Sequence, residues 1–349
     1  MKDFFTDRKK LFILGCIAVA IIIVGIIGVA ISLSSMSSPM DESNTKYVNV
    51  TIESGSGTGD IGQALVDNGI IDSVTNFKVI SKLKGYDGQF KAGVYALSPS
   101  MSTYDIADII ISGKVKSNQF TIPEGLTIFQ AADKLAKEGI VDKKEFVDLL
   151  KNGKFDYDFL KNAQTGDNHL EGYLSPNTYQ VAMGASSESI ITTMLDQFDS
   201  IFKDEYYARA KKLGYSVNDI IIVASIIERE CGDVDRDKVA SVIYNRINDG
   251  MPLQMCSTVQ YVLGKQKESL TDADTQIKSP YNTYVNPGLP PGPICSPGEA
   301  SIKAALYPAK TDYLYFVVSE KLDGTHNFSA NYQKFLKDKD AYYAALNKQ

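Results

Sequence analysis

Tryptophan is absent from this chain, histidine occurs only at His169 and His326, and the four cysteines include no C-x-x-C pair. These shortages exclude a histidine-built catalytic metal centre and a four-cysteine zinc site. A basic excess is missing too: 36 Lys and Arg stand against 42 Asp and Glu, a net charge of −6. Without surplus cations to neutralise phosphates, nucleic acid is not the expected partner. No G-x-S-x-G elbow or H-E-x-x-H signature occurs. Gly55-Ser56-Gly57-Thr58-Gly59 lacks the Lys-Ser/Thr of a phosphate loop and reads as a turn. Ser81 and Lys84 meet the S-x-x-K spacing of penicillin-binding enzymes, but no S-D-N or K-T-G follows. What remains is a globular composition, 44% hydrophobic and 22% charged over 349 residues, enough for two or three structural units. Any aromatic platform for a ligand must be built from the 20 Tyr and 15 Phe.

One long hydrophobic run is present. Residues 11–33 carry no charge, and at the rise of a helix they cover a bilayer core of about 30 Å. Arg8, Lys9 and Lys10 precede the run, so the positive-inside bias places the short N-terminus in the cytoplasm and the rest outside. A cleaved signal peptide competes with this reading, but the run is longer than an ordinary h-region, which favours an uncleaved anchor. Ile13-Leu14-Gly15-Cys16 has the look of a lipoprotein cleavage box, yet most of the apolar run still lies ahead of it. The expected order is a cytoplasmic tail (1–10), a transmembrane helix (11–33) and a Ser-rich linker (34–45), with a single-pass protein at the cell membrane. Cys231, Cys256 and Cys295 then sit where disulfides persist. Three is odd, so at most one internal bridge forms; three buried thiols are the alternative.

The outer part repeats itself at a spacing of 70 residues. Thr51-Ile52-Glu53-Ser54-Gly55 is echoed by Thr121-Ile122-Pro123-Glu124-Gly125, and Gly69-Ile70-Ile71-Asp72 by Gly139-Ile140-Val141-Asp142. Each copy reads as a strand, a helix capped by Gly69 or Gly139, and a second helical stretch opened by Phe77 or Phe146. Such small β-α-α-β units serve glycan binding in some proteins and ordinary α+β packing in others. The predicted class is α+β, with a small module over residues 46–116 and a mixed α/β domain over 117–349. Residues 117–155 form the second copy of the repeat.

Carboxylate chemistry is the chemistry left, and one helix points to it. From Ser216 to Glu230 apolar residues recur at Ile220, Val223, Ala224 and Ile227, with Ser216 or Asn218 as cap and Gly232 as a C-terminal stop. The helix ends in Glu228-Arg229-Glu230. A Glu leaving a hydrophobic helix into a cleft is partly desolvated, which raises its pKa and suits a general acid. Helical geometry puts Glu228 and Glu230 on opposite flanks of the apolar face, so periodicity does not separate them, and two solvated carboxylates at a helix end remain the alternative. A Pro- and Gly-rich segment from Ser279 to Pro297 is a long loop of the sort that carries function.

Ala224-Ser225-Ile226-Ile227-Glu228-Arg229-Glu230, Asp237 to Val242 and Asn245-Arg246 resemble the signature of the YceG-like (MltG) endolytic murein transglycosylases. So do Leu253-Gln254, Thr258-Val259 with Tyr261, Tyr281 to Tyr284, Gly288 to Gly292, Pro297-Gly298 and Tyr307 to Lys310. Upstream, Lys91 to Tyr95 and Leu170-Glu171-Gly172-Tyr173 through Tyr179 match as well, so the resemblance runs over about residues 46 to 349. It implies a membrane anchor followed by a LysM-like module and a catalytic domain whose acid is Glu230. The implied reaction cuts the β-1,4 bond between N-acetylmuramic acid and N-acetylglucosamine in glycan strands and leaves 1,6-anhydro ends, with no metal or cofactor. Gln254, Thr258, Tyr261, Tyr281, Asn282, Tyr284 and His326 are the expected sugar contacts, and Glu171 is either an acid supporting the site from behind or a helix cap, with the cap favoured. The implied partners are peptidoglycan strands, the membrane and penicillin-binding synthases; a non-catalytic scaffold recruiting those synthases is the alternative. The chain departs from the family pattern at Met255-Cys256-Ser257, where Asp-Pro is common before Thr258, and at Asn177, where Asp is usual. Cys256 at such a place, with Cys295 in the neighbouring loop, prompts the expectation of a Cys256–Cys295 bridge.

Overall fold

The computed structural model describes residues 2–232, 234–267 and 269–347, with the side chains of residues 2–16, 18, 20 and 29 outside the description. The chain divides into two compact units, Met1–Asn118 with Val181–Ala185, and Gln119–Gln180 with Ser186–Gln349. The class is α+β, as expected.

The first unit opens with helix α1 (Lys2–Ser37), followed by β1 (Val48–Ile52), α2 (Thr58–Asp67), α3 (Val74–Lys84), β2 (Gly93–Leu97) and α4 (Thr103–Ser112). β1 and β2 pair antiparallel, Val50 opposite Tyr95. Alternation in β1 sends Val50 and Ile52 inward onto Ile61, Leu65 and Phe77 of the two helices. α2 ends where the repeat placed its stop: Gly69 has φ +65°, and the N–H of Ile70 returns to Leu65 O at 2.9 Å, closing a Schellman turn. Ser81 is fully buried in α3, so its S-x-x-K spacing is coincidental.

α1 contains the expected span, of which residues 11–16, 18, 20 and 29, including Cys16, have side chains outside the description. Among the described residues no helix is long and apolar enough to cross a membrane. The described part of α1 nevertheless exposes apolar side chains in succession, with Ile21, Ile22, Ile23 and Val24 all half-exposed or more.

The second copy of the repeat runs β3 (Ser117–Ile122), α5 (Ile128–Lys137) and α6 (Lys143–Asn152), and the strand pairing with β3 is β4 (Asn177–Ala182), beyond residue 155. Then follow α7 (Ser187–Ile201), α8 (Asp204–Leu213), α9 (Val217–Glu230), α10 (Arg236–Asn248), α11 (Cys256–Leu263), α12 (Asp272–Thr275), α13 (Glu299–Leu306), the antiparallel hairpin β5 (Tyr315–Val318) and β6 (His326–Ser329), and α14 (Tyr332–Leu346). α9 is the axis of this unit, packed by α8, α10, α11 and α13. Its sequence predicts one apolar face, yet every residue from Ile220 to Ile227 is buried, as befits a helix covered on all sides. Ser216 rather than Asn218 caps it, in a capping box with Asp219. Asn218 is instead a buried acceptor for Tyr173 Oη at 2.9 Å. Gly232 does not end the helix: the stop is Cys231 in an extended conformation, φ −134°.

Candidate active site

Two carboxylates leave the buried helix at its C-terminal turn, and the structure separates them. Glu228 Oε2 accepts the N–H of Gly298 at 3.1 Å and the hydroxyl of Ser301 at 2.7 Å. It therefore serves the N-terminal turn of α13, whose free N–H groups favour an anion. Arg229 between them donates to Gly125 O at 3.2 Å. Glu230 turns the other way, into a groove of about 470 Å³ whose lining includes Gln254, Cys256, Tyr284, Tyr315 and Tyr343. Among the described residues it is the only acidic side chain of that lining, where Arg246, Lys267 and Lys339 supply the charge of opposite sign.

Glu230 Oε1 accepts the backbone N–H of Ser257, in the first turn of α11, at 3.0 Å. Burial raises the Glu230 pKa, while the N–H and the neighbouring hydroxyl of Ser257, together with Arg229, work against that rise. The result is a carboxyl that keeps its proton above the usual Glu range but has one donor ready for its anion.

The loop before α11 is fixed from below. Arg246 is buried; it donates to Leu253 O at 2.8 Å, to Pro252 O at 3.2 Å and to Leu314 O at 2.6 Å, and its guanidinium covers the Tyr315 ring at 5.2 Å. Gln254 sits in this loop at φ +53°, a region that non-glycine residues seldom occupy. Its N–H donates to Thr283 O at 3.0 Å, so the Pro-rich segment is tied beneath the groove.

Of the expected sugar contacts, Gln254 and Tyr284 line the Glu230 groove. Tyr261 and Tyr281 line an adjoining concavity of about 730 Å³, which shares Gln260 with the first. Three expectations need correction. Thr258 is fully buried, donating to Met255 O at 2.8 Å and meeting Thr283 Oγ1 at 2.9 Å. Asn282 is fully buried and spends its amide on Thr275 O and Ile277 O, at 3.0 and 2.8 Å. In both, the polar atoms satisfy a loop backbone and leave nothing for a ligand. His326 is also withdrawn: its ring lies against the backbone of Glu230, its backbone N–H donates to Asp235 Oδ2 at 3.0 Å, and burial lowers its pKa.

The bridge between Cys256 and Cys295 is likewise not formed; Cys231, Cys256 and Cys295 are all free thiols. Cys295 is buried against α9, with Sγ 3.4 Å from Ser225 O, whereas Cys256 is exposed with Sγ 3.1 Å from Tyr284 Oη. Different neighbours hold the two sulfurs.

Sequence reasoning missed the Ser257 N–H, the Arg246 clamp and the aromatic groove wall from β5 and α14. Glu171 caps α5 and also supports a residue of the adjoining concavity. Its Oε1 accepts the N–H of Ile128, the first residue of α5, at 3.1 Å, and Oε2 accepts Tyr261 Oη at 3.2 Å. It is fully buried, and desolvation pushes its pKa up to about 8. Gly172 beside it has φ +88°, and a Cβ there would meet Pro293 at 2.6 Å and Ile221 at 2.8 Å, so only glycine lets this turn close on α9.

Known proteins share this arrangement of sequence. The profile of the YceG-like family matches residues 50–341. A Bacillus subtilis protein named endolytic murein transglycosylase is 37% identical over 328 residues, 90% of either chain. A protein of the same name from Streptococcus pneumoniae is 34% identical over 307 residues, which make up 80% of this chain and 55% of the pneumococcal one. The crystal structure of a YceG-like protein from Listeria monocytogenes aligns with a TM-score of 0.56 at 36% identity, covering 84% of this chain and 99% of that one. By its profile match and by its identity to full-length relatives, the chain belongs to the YceG-like family.

Proposed function

We propose that this chain is a membrane-anchored endolytic murein transglycosylase in which Glu230 is the one acid–base group. The chain is an enzyme of the lyase class, a lytic transglycosylase, and its substrate is peptidoglycan. The observation that carries the assignment of Glu230 is its isolation: among the described residues no second carboxylate lines the groove. Ordinary glycosidases place two carboxylates about 5 to 9.5 Å apart, one to protonate the leaving oxygen and one to attack or to activate water. A single carboxyl suffices when the attacking group belongs to the sugar. Glu230 gives its proton to the glycosidic oxygen as the bond from C1 of N-acetylmuramic acid breaks. The resulting carboxylate then takes the proton of the 6-hydroxyl of the same residue, whose oxygen bonds to C1. Atoms balance without water, Glu230 ends as it began, and the product carries a 1,6-anhydro ring. The Ser257 N–H steadies the carboxylate between the two transfers.

The anchor is proposed from α1, whose described apolar side chains are exposed in succession, the surface of a helix made for lipid rather than water. The β1–α2–α3–β2 module is assigned a LysM-like glycan-holding role. An enzyme so tethered meets nascent strands beside the penicillin-binding synthases that extrude them.

The test uses the full chain in detergent with un-crosslinked glycan strands, the products weighed by mass spectrometry. Ends one water lighter than hydrolysed ends are expected. Glu230→Gln should lower the rate by about 10²–10⁴-fold, the usual share of a general acid–base group. Hydrolysed ends, or full activity in Glu230→Gln, would overturn the mechanism.

A further inference from the structure

The C-terminal helix α14 contributes no buried residue to the fold, although it carries Tyr332, Phe335, Tyr342 and Tyr343. At 3.6 residues per turn these four, with Lys339, fall on one face of the helix. That face is not spent on a core. Phe335 stacks on Tyr315 of β5 and Tyr332 packs tilted against it, both at ring separations of 5.4 Å, which fixes one end of the helix. The other end stays open: Tyr343 is 48% exposed, Tyr342 meets it at 5.4 Å, and Lys339 Nζ lies 5.9 Å from the Tyr343 ring. All five side chains line the groove that contains Glu230. From Tyr332 to Tyr343 the helix runs about 16 Å, longer than a single sugar ring. The family match ends at residue 341, so Tyr342 and Tyr343 lie outside what this chain shares with the profile.

We propose that Tyr342 and Tyr343 of α14 form a saccharide-stacking wall, a specificity-determining element that binds sugar units of the strand remote from the bond being cut and makes cleavage depend on strand length. The proposal rests on the glycan-cleaving reading of the Glu230 groove. Pyranose rings present C–H faces that pack on aromatic rings while their hydroxyls stay in water, and a row of half-exposed tyrosines offers that amphipathic surface. Binding energy gathered at a remote subsite is used in the transition state, so losing it lowers turnover as well as affinity. Lys339 offers a hydrogen-bond donor beside the rings. A protein partner or a second copy of the chain could also cover an aromatic face, but continuity with the Glu230 lining argues for the strand itself.

The test compares kcat/KM of the full chain on un-crosslinked strands of increasing defined length. In the wild type kcat/KM should rise with each added disaccharide until the groove is filled. In Tyr342→Ala/Tyr343→Ala the ratio of long-strand to short-strand kcat/KM should fall about tenfold, and Tyr342→Phe/Tyr343→Phe should restore it, since the ring faces are kept. Each ratio is taken within one protein, so a poorly folded fraction cancels. A ratio unchanged in the alanine variant, or no length dependence in the wild type, would overturn the wall. Should the wild type cleave nothing, the reaction of the preceding section fails on its own. Calorimetric titration of Glu230→Gln with the same strands then decides the wall alone: length-dependent affinity lost with both tyrosines supports it, and affinity indifferent to them overturns it.

Discussion

The backbone N–H of Ser257 donates to Glu230 Oε1 at 3.0 Å, so the first turn of α11 holds the carboxyl that ends α9. Burial and this contact oppose each other. Desolvation disfavours the carboxylate and raises the pKa, whereas a donor from a helix N-terminus favours it. The balance leaves an acid that holds its proton above the usual Glu range and an anion with a donor ready to steady it.

Shifting that balance should move the pH profile in a defined direction. The Ser257 hydroxyl lies beside the Glu230 carboxylate and has no hydrogen-bond partner of good geometry, so its removal leaves the fold little changed. In Ser257→Ala the carboxylate loses a favourable neighbour and the Glu230 pKa rises. The alkaline limb of kcat/KM, where the acid loses its proton, should then shift to higher pH. A shift to lower pH, or none, would show that the Ser257 hydroxyl does not favour the carboxylate and that the backbone N–H, which this variant keeps, acts alone.

Glu228 should behave as the structural member of the pair. Its removal leaves the N–H of Gly298 and the hydroxyl of Ser301 without their acceptor, a loss worth about 1–3 kcal/mol. Glu228→Ala should therefore lower the free energy of urea unfolding by that amount while anhydro ends still form at temperatures where the chain is folded. Loss of cleavage with unaltered stability would exchange the roles of the two glutamates.

The two halves of this site were unequally legible in the sequence. The end of α9 could be found because helical periodicity and a capping Ser are local signals, and the repeat could be found because Gly69 and Gly139 mark the same left-handed turn. Choosing Glu230 over Glu228 could not be local, since it depends on α13 arriving to occupy Glu228. The Ser257 N–H carries no side-chain signature at all. Thr258 and Asn282 were misread for a related reason: short polar side chains in a long loop more often serve its backbone than a ligand. Cys256 and Cys295 looked paired from their loops, but pairing requires a geometry that only the packing of α9 decides.

Glu171 predicts how stability changes with pH. Its pKa stands near 8 in the fold, because burial outweighs the hydrogen bonds from Ile128 and Tyr261, against 4.5 for an unperturbed Glu. Between these values the folded chain binds more protons at this group than the unfolded chain does. The stabilisation is thus full below about pH 4.5 and is lost on the way to about pH 8, by up to about 1.4 kcal/mol per pH unit. Urea unfolding across that range should show the decline, and Glu171→Gln, which cannot titrate, should flatten it. A Glu171→Gln chain with the same slope as the wild type would place the titration elsewhere.

The thiols give a direct reading of the groove. Cys295 is buried against Ser225 O, and Cys231 is buried with Sγ 3.2 Å from Ile227 O and a pKa pushed up to about 12 by desolvation. Cys256 alone of the three is exposed, and it lines the groove with Glu230, though burial of its sulfur raises its pKa and slows attack by a thiol reagent. In a Cys16→Ser background a thiol-reactive dye should therefore label one cysteine per native chain, slowly at neutral pH and faster as the pH rises, and three after unfolding without a reductant. A bulky adduct on Cys256 should suppress cleavage by filling the groove, and Cys256→Ser should escape both labelling and inhibition. Two labelled thiols in the native chain would show Cys231 or Cys295 to be accessible. Only one thiol labelled after unfolding would show a disulfide that the separate environments of Cys256 and Cys295 argue against.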